Sequence, residues 1–297
     1  MVDSPERLIG GRYLLAEEIG RGGMGVVWRA RDQVLQRPVA LKEVALPPWV
    51  GERERELAYR RVLQEARTAA MLRHPHVVTV HDVVLDRGRP WIVMELLSAE
   101  SLEAVVQREG PLPEAEVAGI GAKVLEALRA AHAAGVTHRD VKPANVLLLD
   151  GGGVVLTDFG IARVADSPTL TATGMLMGSP AYLAPERLEG NGATPGSDLW
   201  ALGATLYTAV EGAPPYVRQS PVAVMAAILM GPPEPMRRAR LLRPIIEGLM
   251  RGDPAARSGH DEAAAGLARL SPPSSRTEPR AREGSAALAA LVEDPSD

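Results

Sequence analysis

Along the first hundred residues, apolar and polar positions alternate in short runs broken by glycines and polar turns. Residues 13–19, 26–31 and 38–44 carry the β-branched or alternating side chains of half-buried strands. The period then changes. Between residues 52 and 73, Val62, Glu65, Ala69 and Leu72 return at helical spacing on one face of an otherwise charged segment. Two further strands, at 77–83 and 91–95, complete a five-stranded antiparallel sheet carrying one main helix. Past Ser98 the pattern turns helical: 114–134 reads as one long helix, and proline-marked helices recur over 198–270. The expected fold is α+β and bilobal, with a small β lobe over 11–97, a larger, mainly α lobe over 98–270 and a cleft between them. Residues 1–10 are expected to be an N-terminal extension, and the Pro/Ser/Arg-rich residues 271–297 a flexible tail.

Composition narrows the classes of function. A net charge of −4 argues against a nucleic-acid partner, which calls for an excess of Lys and Arg. The absence of cysteine removes disulfides, thiolate nucleophiles and Cys-based zinc sites, and fits a reducing compartment. His74, His76 and His81 lie close together, but no carboxylate spacing completes a metal cage around them. The longest uncharged stretch, 199–210, has the length of a buried core helix and is too short to span a bilayer. No membrane contact is expected within the chain.

Candidate chemistry begins at Gly20-Arg21-Gly22-Gly23-Met24-Gly25, between two predicted strands. In a dinucleotide fold these glycines would open a helix; here Val26, Val27 and Trp28 continue as a strand. A glycine-rich hairpin lets backbone N–H groups approach phosphates without obstruction by Cβ. Lys42 ends the apolar run Val39-Ala40-Leu41, and Glu65 sits on the apolar stripe of the following helix. A carboxylate on an inner face needs a partner, and Lys42 is the expected one. Glu52, Glu54 and Glu56 are rivals in a charged, solvated cluster.

The most specific stretch is His138-Arg139-Asp140-Val141-Lys142-Pro143-Ala144-Asn145, with Asp158-Phe159-Gly160 beginning thirteen residues after Asn145. Phe159 is the chain's one phenylalanine. Together with the glycine-rich hairpin, these residues resemble the eukaryotic-like serine/threonine protein kinases of bacteria, and the resemblance runs from about Gly11 to Leu270. It implies the bilobal protein-kinase fold and transfer of the γ-phosphate of ATP to Ser/Thr hydroxyls of proteins, assisted by Mg2+, with Mn2+ as a substitute.

By that resemblance Asp140 orients the hydroxyl and accepts its proton, and Lys142 steadies the γ-phosphate. Lys42, held by Glu65, faces the α/β-phosphates, while Asn145 and Asp158 offer oxygen ligands to the metal. The nucleotide would lie among Ile19, Gly20, Arg21, Gly22, Gly23, Met24, Gly25, Val26, Val27, Ala40 and Lys42, with Met94 behind a hinge formed by Glu95 and Leu97. Glu186 of Ala184-Pro185-Glu186 is expected to pair with Arg257, and Asp198 to cap the backbone of the catalytic loop. Ser179 stands where the family often has threonine. Thr171 and Thr173 match where relatives carry phosphate, which implies trans-autophosphorylation through a transient dimer. A phosphate there would bind Arg139, expected to be an unpaired charge beside the loop. The resemblance implies a cytoplasmic domain, whose longer parent could be membrane-anchored. The alternative is a pseudokinase scaffold, which loss of Lys42, Asp140, Asn145 or Asp158 would favour; all four are present.

Overall fold

The computed structural model describes residues 7–22, 25–46, 50–159 and 180–271. The expected turn residues Gly23 and Met24, the segment 47–49, Gly160, Ser179, the threonines Thr171 and Thr173, and the tail from 272 lie outside them.

The β lobe follows the alternation of its sequence. Strands β1 (Leu8–Ile9), β2 (Tyr13–Gly22), β3 (Gly25–Asp32), β4 (Arg37–Glu43), β5 (Val80–Asp86) and β6 (Arg89–Met94) form one antiparallel sheet in the order β1-β2-β3-β4-β6-β5. Five are the expected strands. The sixth, β1, lies in the expected N-terminal extension, where Leu8 pairs with Leu14 and Ile9 with Tyr13. Ile9, Tyr13, Val39, Leu41, Trp91 and Val93 pack together on one face. On the other face lies helix α1 (Glu52–Ala70), which buries Ala58, Val62, Ala66 and Ala69 at helical spacing. The β2 strand slips register twice, between Leu15 and Glu17 and between Glu18 and Gly20. Such bulges bend a strand and increase its twist just before the glycine-rich turn.

The helical lobe contains α2 (Leu102–Glu109), α3 (Glu114–Ala133), α4 (Pro185–Leu188), α5 (Pro195–Glu211), α6 (Pro221–Met230), α7 (Arg243–Leu249) and α8 (His260–Leu270). A small sheet, β7 (Ala99–Ser101), β8 (Val146–Leu149) and β9 (Val154–Leu156), lies against these helices. The α5 helix is the core of the lobe: every residue from 197 to 210 is buried. Its start is specified locally, with Pro195 in the first turn and a reciprocal Thr194–Ser197 capping box. A side chain at Gly203 would force its neighbours back, because its Cβ would stand 2.7 Å from Met250 Cγ and 2.9 Å from Leu249 Cβ. That gap lets α7 close on α5.

Two connections fix the lobes at the cleft. Val78 N donates to Leu156 O at 3.1 Å, and Leu156 N donates to His76 O at 2.9 Å. The strand leading to Asp158 is thereby tied to the segment that enters β5. Lower in the molecule, Arg257 grips Glu186 through two bonds of 2.7 and 2.9 Å, both partners buried, as expected from the sequence.

Candidate active site

The catalytic loop, residues 138–142, has no strand or helix of its own and is held by its neighbours. The carboxylate of Asp198, in the first turn of α5, accepts from His138 N at 2.7 Å and from Arg139 N at 2.8 Å. Asp198 thus caps the loop as expected. His138 is fully buried, and its two nitrogens are both engaged. Nδ1 accepts from Asp140 N at 3.2 Å, so the proton sits on Nε2, which donates to Thr157 O at 2.8 Å. Burial pushes the His138 pKa down and keeps the ring neutral. Its ring also lies 4.5 Å from that of Phe159, which is buried in the main core.

On this base the charged groups converge. Lys142 Nζ lies 2.8 Å from Asp140 Oδ2. The side-chain nitrogen of Asn145 donates to Asp140 O at 2.8 Å and to Asp140 Oδ2 at 3.1 Å, which turns its amide oxygen the other way. Thr157 N donates to Asn145 O at 2.9 Å, bringing the strand before Asp158 against the loop. Arg139 and Asp158 both occupy the left-handed region, with φ of 69° and 63°. Non-glycine residues are held there only where surrounding contacts over-determine them.

Lys42 is buried, but its partner is not the expected one. Its ammonium lies 2.7 Å from Asp158 Oδ1, while Glu65 is bound by Arg139 Nη1. This corrects two expectations together, the Lys42–Glu65 pair and the unpaired Arg139. The carboxylate on the inner face of α1 does need a cation. In this conformation α1 presents it to the catalytic loop, where the Arg139 guanidinium meets it in a charge-assisted bond. A cavity of about 300 Å³ lies between α1 and the loop, lined by Arg61, Gln64, Glu65, Arg139 and Phe159 among others.

The remaining predicted residues sit around the mouth of the cleft. Ala40, Met94, Val78 and Val155 form an apolar cluster, with Val27, Leu96, Leu97 and Leu149 at its edge. Sequence reasoning selected Val27, Ala40, Met94 and Leu97; Val78 was read only as a strand residue, and Leu149 and Val155 gave no signal. Val26 is half-buried beside Val27, and Ile19 is exposed. Glu95 differs from the simplest hinge: its side chain accepts from Thr79 N at 2.6 Å and its N–H donates to Thr79 O at 3.0 Å. Those groups hold the chain crossing, so only its carbonyl is left to serve a ligand. Gly20, Arg21 and Gly22 pair with Val27, Val26 and Gly25 in the hairpin. A Cβ at Gly25 would stand 1.9 Å from the carbonyl oxygen of Glu43.

Among the described residues, no group of three or more His, Cys, Asp or Glu side chains is arranged to hold a metal. Asn145 and Asp158 supply two oxygen donors beside the cleft. That set suits a hard cation that keeps several waters and takes its remaining ligands from phosphate. No helix among the described residues is long and apolar enough to cross a membrane.

Comparison with known proteins agrees with the fold. Residues 13–266 match the protein kinase domain family. The chain is 46% identical over 226 residues to the serine/threonine-protein kinase PknK of Mycobacterium tuberculosis, covering 76% of this chain and 20% of that protein. It is 40% identical over 278 residues to PkaA, a serine/threonine-protein kinase of Streptomyces coelicolor, covering 88% of this chain and 50% of that one. With PknA of Mycobacterium tuberculosis it shares 41% identity over 237 residues, 77% of this chain and 53% of that protein. The matches therefore cover between a fifth and about half of these relatives.

Proposed function

This chain belongs to the protein kinase domain family, and we propose on that premise that it transfers the γ-phosphate of ATP to serine and threonine hydroxyls of proteins. The observation that carries the reading is Asp140 held at the cleft by Lys142, 2.8 Å away, and by Asn145, 3.1 Å away. Asp140 orients the acceptor hydroxyl and takes its proton as the oxygen attacks phosphorus. Lys142 is close enough to turn from Asp140 to the transferring phosphoryl group. Val27, Ala40 and Met94 receive the base, the hinge backbone at Glu95 and Leu97 binds its edge, and Lys42 meets the α/β-phosphates. When bound, Mg2+ (or Mn2+) held by Asn145 and Asp158 would neutralise charge on the phosphate oxygens.

The Glu65–Arg139 pair supports a resting conformation of this site. Phosphothreonine at Thr171 or Thr173 adds about −1.5 to −2 charges and strong acceptor oxygens. It competes with Glu65 for Arg139 and releases Glu65 toward Lys42. Trans-autophosphorylation in a transient dimer supplies that phosphate, in the cytoplasm, where ATP is available. A pseudokinase is not favoured, because Lys42, Asp140, Asn145 and Asp158 are all present.

The test is transfer of radiolabelled phosphate from ATP to a generic protein substrate, followed by phosphoamino-acid analysis. Label on serine and threonine is expected, with the rate of Asp140→Asn lowered by about 10²–10⁴-fold and nucleotide affinity nearly unchanged. A variant retaining more than half the parent rate would remove Asp140 from the mechanism.

A further inference from the structure

Asp198, which holds the catalytic loop, is itself held from the far side. His132 lies near the end of α3, and its Nε2 is 2.8 Å from Asp198 Oδ2. The other nitrogen, Nδ1, is 3.0 Å from Nε2 of His260, the first residue of α8. The two rings meet edge to face, with centroids 5.0 Å apart and planes at 81°. Three helices that are distant in sequence thus form one polar chain ending at the residues immediately before Asp140.

The donor pattern of this chain is determined by its end. An ionised carboxylate only accepts, so His132 carries a proton on Nε2. With the ring neutral, Nδ1 is an acceptor, and the proton between the two histidines belongs to His260 Nε2. The His132 side chain is 7% exposed, so water has little access to replace that donor. Without His260, the Nδ1 acceptor is left unmet, and a flipped ring would set a carbon against Asp198.

We propose that His260 is a positioning residue of the phosphotransfer site: its Nε2–H fixes the tautomer and orientation of His132, and through Asp198 the placement of the catalytic loop. The inference rests on the reading of Asp140 as the catalytic carboxylate.

The surrounding charges are compatible with this role. Arg129 on α3 and Asp261 on α8 form an ion pair of 2.8 Å beside the two rings. Burial, with His132 and Arg129, opposes a positive charge on His260 and outweighs Asp261 and Asp198, which favour one, so its pKa is lowered. One proton added to the pair leaves the bond between the rings intact, because one nitrogen still donates and the other accepts. A second proton would set two N–H groups against each other.

The test compares His260→Phe, which keeps a ring without the donor, with His260→Gln, which restores an N–H. Steady-state kinetics should show kcat lowered about 5–20-fold in His260→Phe, as expected for one lost buried hydrogen bond. KM for ATP should stay within about twofold, and His260→Gln should recover at least half of the rate. Nitrogen-15 spectra of the wild-type imidazoles should place a proton on Nε2 of both His132 and His260. Full activity in His260→Phe, or equal losses in the two variants, overturns the proposal. Should His260→Phe fail to fold, the wild-type spectra decide, and a proton on Nδ1 of His132 overturns it. Asp140→Asn in parallel keeps the readings apart: a dead Asp140→Asn beside a fully active His260→Phe refutes the role of His260 alone.

Discussion

Gly25 and Lys42 lie in adjacent strands of the β lobe, and at each one a small change of structure has a large chemical effect. Gly25 has φ of +133°, and a Cβ there would collide with the carbonyl of Glu43. Gly25→Ala must therefore shift either β3 or the end of β4. The expected result is a loss of about 1–3 kcal/mol in stability together with weaker ATP binding, measured by thermal melting with and without nucleotide. Lys42 presents the opposite case. It is buried, yet its partner Asp158 keeps 30% of its side-chain surface and can be solvated when the lysine is gone. Lys42→Met should lower turnover by about 10²-fold or more while its melting curve moves little. Glu65→Gln tests the resting pair, because weakening the bond to Arg139 and losing the charge for Lys42 act on different states. Activity should fall in phosphorylated protein. Undiminished activity there would mean that Glu65 never serves Lys42.

At the scale of elements, the α5–α7 contact depends on one missing methyl group. Gly203→Ala would force Met250 and Leu249 back, at a cost of about 1–3 kcal/mol. Met250→Ala should recover part of that loss in the double variant; strict additivity in denaturant titrations would show that the two sites do not touch. The α5 helix was legible because its signals are local: a capping residue, an early proline and a long uncharged run. The five main strands and α1 were legible through their periods. The two-residue β1 and the three-residue β7 and β9 are too short to establish any alternation, and only pairing with distant partners makes them strands. The catalytic groups Asp140, Lys142, Asn145 and Asp158 were recognisable by type and spacing. The partner of Glu65 was not. Period places a carboxylate on the inner face of a helix, but it does not tell which cation that face meets once the lobes pack, Lys42 or Arg139. His132 and Thr157 gave no signal, since their roles exist only where separate segments meet.

Over the whole molecule, charge burial sets the response to acid. His74, His138 and His260 all have pKa values lowered, chiefly by burial. A histidine held neutral in the fold but free to charge when unfolded favours unfolding at low pH. Its contribution is complete above the ordinary imidazole range, near 6.5, and is lost as pH falls through the folded values. The melting temperature should accordingly decline from about pH 6.5 downward; a level profile to pH 5 would contradict the burial of these rings. The Glu186–Arg257 pair makes a second demand. Arg257→Ala leaves a carboxylate buried without its two bonds and should cost about 3–5 kcal/mol, with Glu186→Gln, Arg257→Met together costing less. The suspension of the catalytic loop from Asp198 has a consequence of another kind. The amide protons of His138 and Arg139 point into the first turn of α5, so they can meet solvent deuterium only when that anchorage opens. In hydrogen exchange they should behave as interior amides, among the slowest in the protein, although they belong to a loop beside an open cleft.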